Sequence, residues 1–199
     1  INGGPMATAR WTFLPSARRS AINSARAWVT NPFFPSDPSS VQIRSSSLEQ
    51  VFGALYRLGV ALEHMLLKPS MVIAGKDCRV QASVQQVAEA TVRTLRRTVP
   101  SAVPGVVFLS GGQSPALATD HLNVMNTLGQ HPWPLSFSYG RALQDEALKT
   151  WGGKSANVAA AQKAYLHRVK CVSAASAGKY SKQMEVSAAA HPWLKDKVQ

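Results

Sequence analysis

From residue 47 onward, stretches whose hydrophobic residues recur at helical spacing alternate with short apolar stretches that are typical of buried strands. Ser47 and Gln50 have the spacing of a capping box, in which each side chain caps the other residue's backbone. The apolar positions that follow recur at helical intervals, which predicts a helix whose buried face carries Val51, Phe52, Leu55 and Leu58.

Three short apolar runs predict buried strands, because they are too short for helices and are bounded by proline or glycine. They cover residues 60–68, 105–110 and 134–139. Helical patterns lie between and after these runs. The first begins with Ser83 and Gln86 and ends at Pro100, and the second begins with Ser114 and Pro115. A third begins at Arg141, and a last one covers 157–177. This alternation predicts an α/β fold with parallel strands.

The first 47 residues have no sustained period. Serine and proline are frequent there, and residues 1–48 contain five arginines, one acid and no lysine. We interpret 1–47 as an irregular or disordered leader, non-native or poorly structured. The alternative is an arginine-rich arm that binds nucleic acid, although its arginines are scattered among tryptophan, proline and phenylalanine.

The overall composition restricts the class of protein. The chain has 199 residues, of which 45% are hydrophobic, as in globular domains. No apolar run approaches the roughly 20 residues that cross a bilayer, and no signal-peptide pattern is present. Cys78 and Cys171 are too few for a disulfide scaffold and fit a reducing cytoplasm. With 22 basic and 10 acidic residues, the net charge of +12 makes nucleic acid, membrane surfaces and phosphorylated substrates the partner classes to consider.

Two strand–glycine–helix junctions are candidate anion sites. Ser110, Gly111 and Gly112 lie at the end of the second predicted strand, and Ser138-Tyr139-Gly140-Arg141 lies at the end of the third. Glycine allows a ligand to approach the backbone, and the free N–H groups of a helix N-terminus favour negative charge. Arg141 would add a bidentate contact to a phosphate. The alternative is that both junctions are ordinary turns between strand and helix.

Lys68 is the second candidate, because it ends an apolar strand. Burial there would lower the pKa of its amine and yield the neutral nucleophile that forms a Schiff base with a carbonyl. The alternative is a lysine that extends into solvent from the strand end. The five histidines and two cysteines have no metal-ligand spacing, so no metal or other cofactor is expected.

These residues resemble the class I fructose-bisphosphate aldolases. The resemblance rests on LLKPSMV (66–72), TVRTLRRTVP (91–100), FLSGGQS (108–114), SFSYGRAL (136–143) and WGGK (151–154), in the family's order and spacing. It covers residues 48–180 and implies the C-terminal part of a (β/α)₈ TIM barrel, with the three predicted strands as strands six to eight.

The resemblance also implies roles for individual residues. Lys68 would be the Schiff-base lysine that captures the ketose carbonyl. The substrate's C1 phosphate would be held by Ser110, Gly111, Gly112, Ser138, Gly140 and Arg141. The implied reaction is reversible cleavage of fructose 1,6-bisphosphate to dihydroxyacetone phosphate and glyceraldehyde 3-phosphate, in the cytoplasm, in glycolysis and gluconeogenesis. No metal is implied, because the covalent imine is the electron sink.

Several departures from the family modify this expectation. His64 follows Glu63 where the family has glycine, and the tail over 181–199 diverges and ends without the family's tyrosine. Strands one to five, with the acid/base glutamate, have no counterpart in residues 1–47. We therefore expect impaired cleavage by this chain, and either a homo-oligomer or an N-terminal half supplied by another chain.

The alternative function is a non-catalytic fragment or a basic interaction protein that binds nucleic acid or another subunit. Against nucleic acid, the charge is spread along the chain and no DNA- or RNA-binding motif is found. The expected partner is therefore a sugar phosphate, and neither nucleic acid nor a membrane.

Overall fold

The structure is a computed structural model that describes residues 38–75 and 78–185. Within these residues the regular elements are α1 (Pro38–Arg57), α2 (Val84–Thr98), β1 (Val106–Phe108), α3 (Pro115–Thr127), β2 (Leu135–Phe137), α4 (Arg141–Trp151) and α5 (Val158–Ser176). Short 3₁₀ helices occupy Leu62–His64 and Ser155–Asn157.

The strands are parallel, as the sequence predicts. β1 pairs with β2 in the register Val106 to Leu135 and Phe108 to Phe137. On the other side of β1, Leu67 forms a parallel bridge to Val106. The Val107 amide donates to the Leu67 carbonyl at 2.8 Å, and the Leu67 amide donates to the Gly105 carbonyl at 3.2 Å. Three chain segments therefore run side by side in one direction, and the α/β prediction is confirmed.

Helix boundaries follow local capping chemistry. Ser83 accepts from the Gln86 amide while the Gln86 side chain accepts from the Ser83 amide, so this predicted capping box is confirmed. Ser114 accepts from the Leu117 amide and Pro115 occupies the first helical turn of α3. At the end of α4, Gly152 takes a left-handed φ of 56°, a conformation that costs glycine little.

The core lies between the strands and the helices. Val106 and Phe108 of β1 are fully buried and belong to one hydrophobic cluster with residues from α1, α2, α3 and α5. The largest fully buried apolar side chains of that cluster, besides these two, are Met71, Val87, Val103, Leu122, Met125, Cys171 and Val172. α3 contacts both α2 and α5, and α4 packs on α5. Burial of these side chains supplies the main favourable term for folding.

The predicted strand over 60–68 is wrong for most of its length. Leu62–His64 is a 3₁₀ helix, Val60 and Leu66 are largely exposed, and only Leu67 pairs with β1. A strand requires a neighbouring strand for its backbone groups. Among the described residues, β1 lies beside this segment, and within 60–68 only Leu67 pairs with it. The apolar run therefore did not become an extended strand.

The capping box predicted at Ser47 is also wrong, because α1 continues through that position from Pro38 to Arg57. Residues 38–47 are helical and not irregular, so α1 crosses the proposed boundary between 47 and 48. Leu48 and Phe52 are buried in the core, whereas Leu58 is 67% exposed. Residues 1–37, including most of the predicted leader, lie outside the described residues, as do residues 186–199 of the tail.

Apolar side chains remain exposed on α4 and α5. Leu148, Trp151, Val158 and Leu166 line an open groove of about 640 Å³ between the two helices. Leu148, for example, is 54% exposed. Within the described residues, therefore, this face of the α4–α5 pair is not covered.

Within the two described ranges, no helix combines the length and the apolar character needed to cross a membrane.

The Ser83 capping box makes a measurable contribution to stability. Replacement of Ser83 by Ala removes the acceptor for the Gln86 amide, and we expect the free energy of unfolding to fall by about 1 kcal/mol. Urea unfolding followed by circular dichroism measures this change. Ser173→Ala is the matched control, since Ser173 is an exposed helical residue of α5. An equal loss in both variants would contradict the cap assignment.

Candidate active site

The predicted site residues meet at one edge of the sheet. Parallel strands present their carboxyl ends on the same side, and ligands of α/β proteins bind at that side. Lys68 follows Leu67, the Ser110 loop follows β1, and the Ser138 loop follows β2. Two further hydrogen bonds extend the alignment past the strands: the Leu109 amide donates to the Pro69 carbonyl at 3.1 Å, and the Ser138 amide donates to the Phe108 carbonyl at 2.8 Å.

Lys68 is exposed, in agreement with the alternative of a lysine that extends into solvent from the strand end. Leu67 and Pro69 on either side of it are buried. Successive side chains of an extended segment point to opposite sides, so packing of its neighbours directs Lys68 away from the core. Its amine has no ion-pair partner among the described residues. Lys68 is thus a reachable amine at the end of the pairing segment.

The Ser110 loop presents open backbone. Gly111 and Gly112 have φ angles of 60° and 82°, a region that other residues rarely adopt. A Cβ atom at Gly111 would lie 3.6 Å from the Ser70 hydroxyl. Both glycines are exposed, and their amides donate to no described residue. Two amide donors are therefore available to a ligand at this edge.

The Ser138 loop leads directly into α4. Gly140 is the N-cap residue of that helix, and a Cβ atom placed on it would meet nothing within 4 Å. Arg141 begins the helix and is exposed. In the described part of the chain the ion pairs are Arg168–Glu185 and Lys182–Asp120, so the guanidinium of Arg141 is not neutralised by a carboxylate there.

Tyr139 anchors this second loop from below. It is 6% exposed, and its hydroxyl donates to the Ala118 carbonyl of α3 at 2.9 Å. Burial raises the pKa of Tyr139, because the phenolate would be desolvated. A neutral tyrosine thus ties the end of β2 to α3, while its neighbours Ser138 and Gly140 remain accessible.

Sequence reasoning missed a polar pair beneath the Ser110 loop. The His121 Nδ1 lies 2.5 Å from the Gln113 side-chain oxygen, and the Gln113 side-chain nitrogen donates to the Ser110 carbonyl at 2.8 Å. Because an amide oxygen only accepts, His121 Nδ1 carries the proton and donates. His121 is 3% exposed. Burial lowers its pKa to about 4, with partial opposition from Asp120. The signal in the sequence was a histidine on the buried face of an amphipathic helix.

A second cluster was also missed: His167, Cys171 and Glu185 place one potential ligand atom each within 4.8 Å of one another. His167 and Cys171 are four residues apart on α5, a spacing that brings helical side chains together. Glu185 is already paired with Arg168 and accepts from the Tyr180 hydroxyl at 2.8 Å.

This arrangement does not favour a cation. Burial raises the pKa of the Cys171 thiol, and the Glu185 carboxylate raises it further. A metal ion would have to displace Arg168 and deprotonate Cys171. We therefore assign the cluster to anchoring the segment after Tyr180 against α5.

Comparison with known proteins supports the resemblance found in the sequence. The family model described as fructose-bisphosphate aldolase class-I matches residues 38–198. Fructose-bisphosphate aldolase from Dictyostelium discoideum is 51% identical over 158 residues, which are 79% of this chain and 44% of that protein. The aldolase from Plasmodium falciparum (isolate K1 / Thailand) is 57% identical over 133 residues, 67% of this chain and 37% of that protein.

A solved structure gives the same result for the fold. The fructose-bisphosphate aldolase of a ternary co-crystal structure from Plasmodium falciparum superposes with a TM-score of 0.74 at 50% identity. The match covers 77% of this chain and 44% of that one. The chain thus spans less than half the length of these relatives. The family match begins at residue 38, ahead of the predicted start at 48, and it extends beyond residue 180.

The lowered pKa of His121 makes stability depend on pH. The unfolded chain binds a proton near the ordinary histidine pKa of 6.5, whereas the folded chain does so only near pH 4. Stability is therefore complete above about pH 6.5 and is lost as the pH falls towards 4. We expect the free energy of unfolding to fall by about 2 kcal/mol between pH 7 and pH 5.

Urea unfolding at the two pH values tests this expectation. His121→Gln should remove most of the difference, and His64→Gln, at an exposed position, should retain it. Equal pH dependence in the wild-type chain and in His121→Gln would contradict the assignment.

Proposed function

This chain belongs to the class I fructose-bisphosphate aldolase family, and from that premise we propose that it carries the Schiff-base and phosphate-binding part of such an enzyme. The reaction is the reversible cleavage of fructose 1,6-bisphosphate to dihydroxyacetone phosphate and glyceraldehyde 3-phosphate. One observation carries the proposal: Lys68, the Ser110 loop and the Ser138 loop follow three parallel segments and so share one edge of the sheet.

We propose that the chain forms the C-terminal part of a (β/α)₈ barrel. The Leu67 segment, β1 and β2 correspond to strands six, seven and eight. Parallel order with helices between strands supports this assignment. The apolar groove lined by Leu148, Trp151 and Leu166 supports it as well, because a barrel's outer helices pack against neighbouring helices. The sheet edges would pair with further strands of the barrel.

Lys68 is proposed to form the covalent intermediate. After it loses a proton, its amine attacks the C2 carbonyl of the ketose, and the resulting carbinolamine takes up a proton and loses water to give a protonated imine. The imine accepts the electron pair released when the C3–C4 bond breaks, as the C4 hydroxyl gives its proton to the acid/base glutamate that strands one to five would supply and becomes the aldehyde. Protonation at C3 and addition of water then release dihydroxyacetone phosphate and regenerate the lysine. The exposure of Lys68 supports this role, since the substrate must reach the amine.

The C1 phosphate is proposed to bind across the two glycine loops. Backbone amides of Gly111 and Gly112 would donate to phosphate oxygens, together with the N-terminus of α4 after Gly140. Arg141 would supply the positive charge, and the hydroxyls of Ser110 and Ser138 would add donors at either side. Phosphate oxygens accept several hydrogen bonds at once, so this mixture of amide, hydroxyl and guanidinium donors suits them.

We extend the proposal to the setting that the family implies. The enzyme would act in cytoplasmic glycolysis and gluconeogenesis, on a sugar phosphate, as a homo-oligomer or together with a chain that completes the barrel. Lys68 and the two glycine loops would supply imine formation and phosphate binding. Cleavage also needs general acid–base catalysis, which typically contributes a factor of about 10² to 10⁴. Imine formation and cleavage can therefore be measured separately.

Reductive trapping tests the lysine. Incubation with dihydroxyacetone phosphate and borohydride should give one covalent adduct, located on Lys68 by peptide mass spectrometry. Lys68→Arg should abolish the adduct, because a guanidinium does not form the imine. Lys163→Arg, at an exposed helical position, should leave it intact. The assignment is wrong if a folded wild-type chain gives no adduct or if Lys68→Arg gives the same one.

Arg141 is tested by the concentration dependence of trapping. Arg141→Ala should raise the concentration of dihydroxyacetone phosphate for half-maximal trapping by about 10-fold or more, since one charge-assisted hydrogen bond contributes about 1.5–3 kcal/mol. Unphosphorylated dihydroxyacetone should be trapped as in the wild type. Arg97→Ala is the control, because Arg97 is exposed and lies on α2. An equal effect with both ligands would argue against phosphate recognition by Arg141.

A further inference from the structure

We propose that Gln113, held in place by His121, is a positioning residue that turns the amide of Gly111 towards the substrate phosphate. The inference rests on the proposed function, because it assigns a cause to the geometry of the phosphate loop. Gln113 itself would not touch the ligand. It would act through the peptide group that joins Ser110 to Gly111.

The Ser110 carbonyl is bound twice by the same residue. The Gln113 backbone amide donates to it at 3.1 Å, and the Gln113 side-chain nitrogen donates to it at 2.8 Å. The backbone bond alone would close an ordinary turn. The side-chain bond adds a second restraint on the same oxygen, so rotation of the Ser110–Gly111 peptide group would break two hydrogen bonds.

The direction of the Gly111 amide follows from the planarity of the peptide group. In a trans peptide the carbonyl and the next N–H point to opposite sides. No cis peptide bond occurs among the described residues. Because the Ser110 carbonyl faces Gln113, the Gly111 N–H faces away from it. That N–H donates to no described residue, and Gly111 is exposed at the edge that carries Lys68 and Arg141.

The Ser110 carbonyl and His121 together fix the orientation of the Gln113 amide. The carbonyl only accepts, so the Gln113 nitrogen faces it, and the Gln113 oxygen is left to accept from the His121 Nδ1–H. The reverse orientation would set the Gln113 oxygen against the Ser110 carbonyl oxygen. The Gln113 nitrogen also lies 3.5 Å from the Met71 sulfur. Since His121 is buried on α3, its contact with Gln113 fixes the position of the loop relative to the core.

The first test observes the Gly111 amide directly. Inorganic phosphate is titrated into ¹⁵N-labelled full-length chain, and the Gly111 and Gly112 amide resonances are followed by NMR. In the wild type both should shift with saturation. Gln113→Met keeps the side-chain volume but removes both polar contacts, and it should raise the half-saturation concentration about 3- to 10-fold. Gln162→Ala, at an exposed position on α5, should titrate as the wild type.

The second test separates positioning from folding. In reductive trapping, Gln113→Met should raise the half-saturation concentration for dihydroxyacetone phosphate but not for dihydroxyacetone, with the same adduct yield at saturation. Gln113→Leu, which also removes both polar contacts and adds no charge, should behave in the same way and serves if the Met variant does not fold.

The outcomes distinguish the two proposals. Absence of phosphate-dependent Gly111 shifts in the wild type, or unchanged titrations in both Gln113 variants, would overturn the positioning role. An equal loss for both ketones would assign Gln113 to general stability and overturn it too. Absence of any imine adduct in a wild-type chain whose Gly111 amide binds phosphate would instead overturn the Schiff-base assignment alone.

Discussion

The hydrogen bonds between the Leu67 segment, β1 and β2 are the constraint on which the candidate site depends. Each paired stretch is short: β1 and β2 have three residues each, and the Leu67 segment contributes a single bridge. Their parallel direction places three loops that are far apart in sequence at one edge of the sheet. Without that alignment, Lys68 would be an unremarkable exposed lysine and the glycine loops would be ordinary turns.

A layer of buried polar contacts holds these loops from below. His121 and Gln113 restrain the Ser110 carbonyl, and the Tyr139 hydroxyl bonds to α3 beneath the second loop. The Asn126 side-chain nitrogen lies within 3.2 Å of the Leu135 and Ala175 carbonyls, joining β2 and α5 to α3. Buried polar groups are costly when unpaired, so these contacts favour one loop arrangement over its alternatives. The exposed donors can then point outward without loss of order.

Much of this organisation could be predicted from local patterns. The Ser83 capping box and the Ser114 cap each depend on residues close in sequence, and both are present. β1 and β2 lie within the apolar runs 105–110 and 134–139 that predicted them. The strand over 60–68 failed because pairing requires a neighbour that no local pattern supplies. The capping box at Ser47 failed because the helix already begins at Pro38, so Ser47 lies inside it and not at its first turn, where free amides need a cap. His121 was missed because a histidine on an apolar face acquires its role only from Gln113, eight residues earlier, which the loop folds back onto it.

The sequence by itself determined the alternation of helices and strands, the helix caps at Ser83 and Ser114, the glycine junctions and the family resemblance, because these depend on local chemistry and motif spacing. The tertiary structure decided that Lys68 is exposed, that Leu67 alone of its run joins β1, and that Gln113 bridges His121 to Ser110. The physical reason is that burial and hydrogen-bond partnership are properties of packing. A side chain's neighbours across the fold, and not its neighbours along the chain, decide whether it faces the core, a ligand or water.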